Sequence, residues 1–586
     1  MADPLDPDII YGGKLTRYDR RTGQAQGILP VPLQSPNFRM LRTQPVVFSP
    51  TDPHLLFFSG NTLWQTRDRG ENWKQISPDL TRKTYDLPAS IGKYRTDPTA
   101  EAKQRGVIYT VAPSSLDVNR IWCGTDDGLI HLTTDGGKSW SDVTPPVISA
   151  WQKISLIDAG HFDANTAYAA VNTLRLDDVR PHIYRTRDGG KSWAEIVHGI
   201  PDGQTVNVVR EDMQRKGLLF AGTERAVYVS FDDGDSWESL RLNMPASSVR
   251  DLIIKDDDIA VATHGRGFWI LDNITPLRQL TKSRQDSVLF KPQTSLRVRW
   301  PAGENPPDGA MIDYFLAEDS STPVTLEIKD KKGNLIRRYS STDKPVRPDV
   351  KKLKIPRYWV RPPQPLSAQR GMHRFLWDMH YTPLTGVEPE YPMAAVYRDT
   401  PPTPTSPWVI PGDYTVVLTA SGKSYTQPLT VKMDPRVKIS EVELQDQLEL
   451  SQQLCEVRAT LEPIGQTFDS LVEQLVKLKE QSLSNPVEEK LNALNSKLKE
   501  LGPPNPRPGA QPSLHALDSA KSLFDEIQGV DAPPTDRVKA AVNEVRLQAT
   551  SLMERWKSII SQDVPALDKE LRGSKSPGLH ADGPGE

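Results

Sequence analysis

Four near-copies of one short pattern constrain this chain more than any other feature: TRDRGENW at 66–73, TTDGGKSW at 133–140, TRDGGKSW at 186–193 and SFDDGDSW at 230–237. Each reads Ser/Thr-x-Asp-x-Gly-x-x-Trp, and the same spacing in four places marks an internal repeat. The chemistry is that of a turn between two antiparallel strands. The hydroxyl and the carboxylate accept backbone N–H groups that the turn leaves unpaired. The glycine supplies a backbone conformation that a Cβ opposes. The tryptophan opens the next strand and packs its ring under the loop, and its indole N–H requires an acceptor. The sets are Thr66, Asp68, Gly70, Trp73; Thr133, Asp135, Gly137, Trp140; Thr186, Asp188, Gly190, Trp193; and Ser230, Asp232, Gly234, Trp237. A catalytic aspartate has no reason to recur in every unit, so all four sets are read as structural.

The repeat extends beyond the turn. Inner strands are expected at PVVFSP (45–50), GVIYTVAP (106–113), ISLIDAG (154–160), VNVVRED (206–212) and VRDLIIK (249–255). Second strands follow at LLFFSG, RIWCGT, TAYAAVN, LLFAGT and IAVATHG, third strands at TLWQTR, LIHLTT, HIYRTR, AVYVSF and GFWILD. Fourth strands begin at each repeated tryptophan. Short β-branched and aromatic runs between Gly, Asp and Asn turns fit the four-stranded blades of a β-propeller. Residues 8–29 read as strands two to four of an earlier blade whose first strand is missing, and the last blade, 247–272, shows three strands and no repeat turn. That makes roughly five and a half blades against about 4–8 full blades in closed rings. The array therefore reads as an amino-terminal truncation, or as a ring closed by strand exchange between its ends.

Beyond the propeller, expected at 1–283, the pattern changes. Residues 284–435 carry strand signals at SVLFKPQTSLRVRW, at a hairpin VTLEIKDKKGNLIRRYSS turning on Lys332-Gly333-Asn334, at GMHRFLWDMHYTP and at GDYTVVLTASGKSYTQPLTVKMDP. These predict a β-sandwich of immunoglobulin or fibronectin type with a Pro-rich loop at 381–411. From 436 to 572 the period becomes helical: Ile464, Phe468, Leu471, Leu475 and Leu478 share one face, as do Leu491, Leu494, Leu498 and Leu501, and Val542, Val545, Ala549, Leu552, Trp556 and Ile559. A small helical bundle results, with a further helix near 514–528 and a breaker run at 502–513; a coiled-coil association module is the second reading. The tail 573–586 is rich in Gly, Pro and Ser and reads as disordered.

Composition narrows the function. The net charge of −3 gives neither a nucleic-acid nor an anionic-membrane footprint. No apolar run approaches the roughly 18 residues of a membrane span. The start, MADPLDPDII, has no basic region and no apolar region of a signal peptide, so the compartment is left open. The two cysteines, Cys123 and Cys455, fall in different predicted domains and do not suggest a disulfide framework. Ten scattered histidines form no HExxH and no Cys/His cluster, so no metal and no cofactor is expected. Neither a GxSxG elbow nor a P-loop occurs.

The four-fold pattern is identified as the Asp-box, or BNR repeat, and these blades resemble those of sortilin-type receptors, sialidases, xyloglucan-active hydrolases and a photosystem II assembly factor. GTERAVYVSFDDGDSW, VATHGRGFWILDN, NPPDGAMIDYFL and GMHRFLWDMHY resemble a family of large bacterial BNR-repeat proteins, labelled glycosyl hydrolase or sortilin-like. The resemblance covers essentially the whole chain. It implies blades, a sandwich and a helical end in that order. Members usually carry a secretory signal and further blades upstream, and these 586 residues show neither. The hydrolase label is a fold-level analogy.

In a propeller the loops joining strands two to three and four to one open on one face, and the repeat turns on the other. The first face is expected to bind. It would carry Asp126, Asp127, Asp177, Asp178 and Glu224 as weak candidates for a catalytic acid and base, and Arg175, Arg180, His182, Arg225, His264 and Arg266 as binding residues. The long loop 79–105 adds Lys93, Tyr94 and Arg95. The bland alternative for each is a solvated loop with local ion pairs; His264 in particular reads as a loop or core histidine. Arg39 in NFRM is a faint echo of a sialidase arginine motif. Three readings follow: a scaffold binding a glycan or protein ligand on this face; a glycoside hydrolase, which needs two carboxyls at set separation; or a degenerate paralogue whose missing blades have removed any site. Face loops rich in charge and poor in Trp favour the scaffold. Ligand identity and oligomeric state are not encoded in any recognisable motif.

Overall fold

A computed structural model describes residues 1–30, 37–83, 88–90, 105–281, 285–299, 309–345, 347–387, 389–393, 395–481, 484–502, 513–574 and 576–580. The chain divides into two compact units, Met1–Arg284 and Gln285–Glu586. Among the described residues no helix is long and apolar enough to cross a membrane.

The first unit is a series of antiparallel meanders, the blades of a propeller fold. The second blade comprises Val46–Phe48, Leu56–Ser59, Leu63–Thr66 and Lys74–Gln75, and the third Ile108–Pro113, Ile121–Thr125, Ile130–Thr133 and Ser141–Asp142. The fourth comprises Lys153–Ala159, Ala167–Asn172, Ile183–Thr186 and Ala194–Glu195, and the fifth Val206–Glu211, Leu219–Thr223, Val227–Ser230 and Glu238–Ser239. The first blade has three strands, Ile9–Gly12, Thr16–Asp19 and Gln24–Gly27. Its missing inner strand is represented by a short bridge: Ala2 pairs with Ile10, and Asp3 N–H donates to Ile9 O at 2.8 Å. The sixth blade, Val249–Lys255, Asp258–Thr263 and Phe268–Leu271, ends at its third strand.

Successive blades share apolar cores, such as Trp122, Ile130, Ile154 and Ala169 between the third and fourth, and Tyr168, Ile183, Val206 and Leu219 between the fourth and fifth. The repeat turn is itself an inter-blade fastener. Trp73, Trp140, Trp193 and Trp237 each donate Nε1–H at 2.8 Å to a carbonyl of the preceding blade: Ile28, Ile76, Val143 and Ile196 respectively. Within each turn the hydroxyl binds the aspartate and accepts the glycine N–H. Thr186 Oγ1, for example, lies 2.9 Å from Asp188 Oδ1 and 2.9 Å from Gly190 N. The glycines sit at φ +83° to +90°, and a Cβ on any of them would fall within 2.3–2.6 Å of the residue whose carbonyl binds the tryptophan, or of that carbonyl itself. Sequence thus fixes three things in eight residues: the turn, the strand start and the seat on the neighbour.

In the second unit two sheets bury one core, with Tyr314 and Trp377 from one and Leu326, Val416 and Leu418 from the other. The first sheet comprises Val288–Leu289, Ala310–Leu316 and Gly371–Trp377; the second comprises Ser295–Arg297, Thr325–Lys329, Leu335–Ser340, Gly412–Ala420 and Lys423–Met433. The hairpin expected at 332–334 forms, with Asp330 Oδ1 accepting the Lys332 and Asn334 N–H groups at 2.8 Å. Ser295–Arg297 departs from the antiparallel rule, pairing in parallel with Lys423–Met433. Helices span Glu441–Lys479, Asn485–Leu501, His515–Gln528, Asp536–Ser558 and Val564–Gly573. The first opens on a Ser440/Glu443 capping box, which satisfies two orphan N–H groups at once. Their leucine faces close a separate core that includes Phe468, Leu491, Phe524 and Leu552. Arg297 and Arg299 tie sheets to helices: both pair with Asp531, and their guanidinium carbons lie 5.5 and 5.6 Å from the Trp408 ring centroid.

Candidate functional site

Hydrogen bonds divide the blade loops into two faces. The 2–3 loops bond back to the entry of the inner strand: Asn61, Asp126, Glu224 and His264 N–H groups donate to Arg39, Val107, Thr205 and Ser248 carbonyls. The repeat turns instead meet the 1–2 loops, as in Gly136 N–H to Asn119 O and Gly189 N–H to Asn165 O. Inner strands of neighbouring blades lie side by side.

Four successive inner strands carry a β-bulge at the same register. Pairing skips Tyr109 between Ile108 and Thr110, Ser155 between Ile154 and Leu156, Asn207 between Val206 and Val208, and Arg250 between Val249 and Asp251. A bulge inserts an unpaired residue and re-aims its side chain. One residue type would suffice if packing alone were served, yet the four are an aromatic, a hydroxyl, an amide and a guanidinium. The column is visible in the aligned strands VIYTV, KISLI, TVNVV and SVRDL. Polar and aromatic residues interrupting apolar alternation at one place were the available signal, and loop position alone missed it.

Ties between blades radiate from this row. Asn207 Nδ2 donates to Glu224 Oε1 and to Val249 O, both at 2.9 Å, and its Oδ1 accepts Asn172 Nδ2 at 2.7 Å. Arg250 Nη1 lies 3.2 Å from Glu224 Oε1. Arg175 bonds Asp126 O at 3.1 Å, faces Asp126 Oδ2 at 3.5 Å, and stands 5.8 Å from the Trp151 ring centroid. Lys153, at the head of the fourth inner strand, places Nζ 4.4 Å from the Tyr109 ring centroid. Burial, followed by the nearby Arg175 and Arg250 charges, pulls its ammonium down to about 8, against the opposing pull of Asp126 and Glu224.

The expected carboxylates have distinct surroundings. Asp126 Oδ1 accepts Val107 N–H at 2.9 Å. Asp127 is buried, with Thr125 Oγ1 at 2.6 Å from Oδ1 and Arg82 N at 2.9 Å from Oδ2; burial raises its pKa. Its Oδ2 also presses against Gly106, where a Cβ would lie 2.0 Å away. Asp178 is clasped by Arg180 at 3.0 and 2.7 Å and met by His182 Nε2 at 3.3 Å, which together hold its carboxyl well below the usual range. Asp177 is a left-handed residue at φ 60° closing the short helix Leu174–Leu176. Glu224 is shared between Asn207 and Arg250.

The remaining face residues spread out. His182 stacks on Tyr184 and bonds Glu195 at 2.7 Å, so it works within its own blade. Arg225 is exposed beside Glu224, and His264 and Arg266 are exposed on the sixth blade. Arg39 is held by Asp79 at 2.6 Å and Thr81 at 2.9 Å, a tie between loops. Lys93, Tyr94 and Arg95 lie outside the described residues. Among the described residues no group of three or more His, Cys, Asp or Glu side chains gathers in a way that would hold a metal ion. Both cysteines are free, and burial pushes the Cys455 thiol up to about 11.

No protein-family model matches the chain. A xyloglucanase from Paenibacillus sp is 23% identical over 271 residues, 40% of this chain and 25% of that protein. Sortilin from Danio rerio is 23% identical over 235 residues, 33% of this chain and 27% of that protein. The chain thus matches about a quarter of the length of each. Among solved structures, the GH74 xyloglucanase from Xanthomonas campestris aligns at 18% identity with a TM-score of 0.36, over 54% of this chain and 50% of that one. The chain is similar, at a distance, to propeller proteins of both the glycoside-hydrolase and the sortilin kind.

Proposed function

We propose that the first unit is a binding scaffold that recognises a glycan or polypeptide on the face formed by its 2–3 and 4–1 loops. The observation that carries this reading is the bulge row: Tyr109, Ser155, Asn207 and Arg250 stand at one register of four neighbouring strands. A rigid strand places such groups more reproducibly than a loop does. The second reading is a glycoside hydrolase with its acid and base among Asp126, Asp127, Asp177, Asp178 and Glu224. Burial lifts Asp127 while Asp178 is held low, and carboxyls driven apart in this way suit acid and base roles. The scaffold is favoured because Asp127 and Asp178 spend their oxygens on fixed neighbours, leaving little to reach a glycosidic oxygen. The deciding experiment offers the purified chain a panel of neutral and acidic soluble polysaccharides, xyloglucan, mannan and polygalacturonate among them, and measures retention and reducing-sugar release together. Retention of at least one polymer without release of sugar from any is expected. Release that disappears in Asp127→Ala or Asp178→Ala would replace the scaffold with the hydrolase.

A further inference from the structure

The charge balance around the bulge row is uneven. Arg175 pairs with Asp126 and Arg250 with Glu224. Lys153 is the cation left over: it lies over the Tyr109 ring, and the described residues give its Nζ neither a hydrogen bond nor an ion pair. Arg225, exposed next to Glu224, adds a further positive group. A half-buried ammonium with only an aromatic face for company has lost part of its hydration without a compensating acceptor. The charges of Arg175 and Arg250 act against its proton and those of Asp126 and Glu224, already engaged elsewhere, act for it.

The geometry points to an anion subsite at Lys153, Tyr109, Arg175 and Arg250 that takes the carboxylates of an acidic, uronic-acid-containing polysaccharide. This inference deepens the binding-scaffold reading and rests on it. The cations come from the fourth and sixth blades, with Arg225 on the fifth between them. Lys153 would take one carboxylate directly, and the exposed Arg225 and the positive ends of the paired Arg175 and Arg250 would favour a polymer with a carboxylate on each residue over a lone terminal carboxylate. The half-buried Tyr109 ring offers the flat apolar surface that a sugar ring requires, while the buried Ser155, Asn172 and Asn207 side chains make their hydrogen bonds within the protein. A charged ligand would also explain the site's composition better than a neutral glucan, which has no use for a desolvated ammonium.

The test is calorimetric titration of the whole chain with polygalacturonate, with fully methyl-esterified polygalacturonate and with poly-glutamate. The esterified polymer keeps the sugars and removes the charge; the polypeptide keeps the charge and removes the sugars. Binding of polygalacturonate alone is expected. Lys153→Met retains the apolar stem over Tyr109 and should weaken that binding about tenfold or more, with the thermal midpoint unchanged. In the unaltered chain, polygalacturonate should shield Lys153 from acetylation by an N-hydroxysuccinimide ester, read by peptide mass spectrometry. Binding should also fade as pH rises past about 8, where Lys153 loses its proton among the fixed Arg175 and Arg250 charges and the Asp126 and Glu224 carboxylates. Equal binding of the esterified polymer, equal binding of poly-glutamate, or an unshielded Lys153 would overturn the inference. If neutral xyloglucan bound and lost affinity in Asn207→Ala, the scaffold reading would stand without the anion subsite. If no polymer or peptide bound on this face, both would fall.

Discussion

Adding one methyl group at Gly190 separates what the repeated glycine does for its own turn from what it does for the next blade. Gly190 sits at φ +83°, and a Cβ there would lie 2.6 Å from Cβ of Val143 in the preceding blade. Gly203 has nearly the same backbone, φ +77°, but a Cβ there meets nothing within 4 Å. Gly203→Ala therefore costs only the left-handed strain, about 1–2 kcal/mol. Gly190→Ala adds the overlap. Val143 is β-branched and cannot swing its Cβ aside, so the blades must part, at a further ~1–3 kcal/mol. The total is about 2–5 kcal/mol. Gly234→Ala should fall between them, because its nearest neighbour at 2.3 Å is the far methyl of Ile196, which has a rotamer to escape into. With two compact units, a single global unfolding curve mixes contributions. Hydrogen-exchange mass spectrometry of peptides over 141–148 and 183–197 isolates the junction. The three losses in the order Gly190, Gly234, Gly203 are expected. Equal losses at Gly190 and Gly203 would show that the close approach is dispensable, and would refute the fastener.

The indole hydrogen bond gives a second test: Trp237→Phe strips the donor from the buried Ile196 carbonyl, for a loss of about 1–3 kcal/mol in denaturant titration. Acid should act on the same turns. Hydrogen bonds from Asn72, Ser139 and Ser192 hold Asp68, Asp135 and Asp188 down to about 2, so their stabilisation is present above pH ~4 and lost as pH falls through about 2. The destabilisation caused by Asp188→Asn should therefore shrink between pH 5 and pH 2 in thermal melts; a constant difference would contradict the linkage. At the end of the first unit, Arg278 grips the fully buried Asp212 at 2.8 Å. Asp212→Asn leaves that guanidinium with Asp257 as its counter-charge and should cost about 1–3 kcal/mol, seen as early loss of exchange protection over 206–212 and 274–280.

The blades were legible because their demands are local. Trp140, Gly137, Asp135 and Thr133 specify a turn within eight residues, and the next strand follows from alternation. The partner of each tryptophan was not legible: Ile76 O lies in another blade, and nothing in SWSDVT names it. The helical end was readable for the same reason as the blades, since Leu491, Leu494, Leu498 and Leu501 show their shared face in the sequence itself. The parallel pairing of Ser295–Arg297 was not, because it joins residues more than 130 positions apart. At the candidate site, loop position picked out Arg175, Glu224 and Asp126, which make inter-residue ties beside the bulge row. It also gathered His182 and Asp178, which chiefly serve neighbours within their own blade. Lys153 and Tyr109 were overlooked because they belong to strands, and the pairing that turns Tyr109 out of the ladder is a tertiary fact.

Repeats supply an internal comparison between what the fold requires and what it leaves open. At the turn, four blades carry the same four residues, apart from Ser230 in place of threonine, since each must seat on its predecessor. At the bulge, the same backbone feature carries Tyr109, Ser155, Asn207 and Arg250. If the bulge served only to bend the strand, residues alike in size and polarity would be expected there, as they are at the turn. A bulge residue is freed from the ladder, so its side chain answers to its neighbours and not to strand pairing. Variation at a position of constant geometry is the pattern of a face whose fold is settled and whose chemistry is not. On the scaffold reading proposed above, recognition would fall on the inner strands, with the loops as its rim. Tyr109→Ser should consequently alter ligand preference while leaving exchange protection of the blades intact; loss of protection would return the bulge row to the fold.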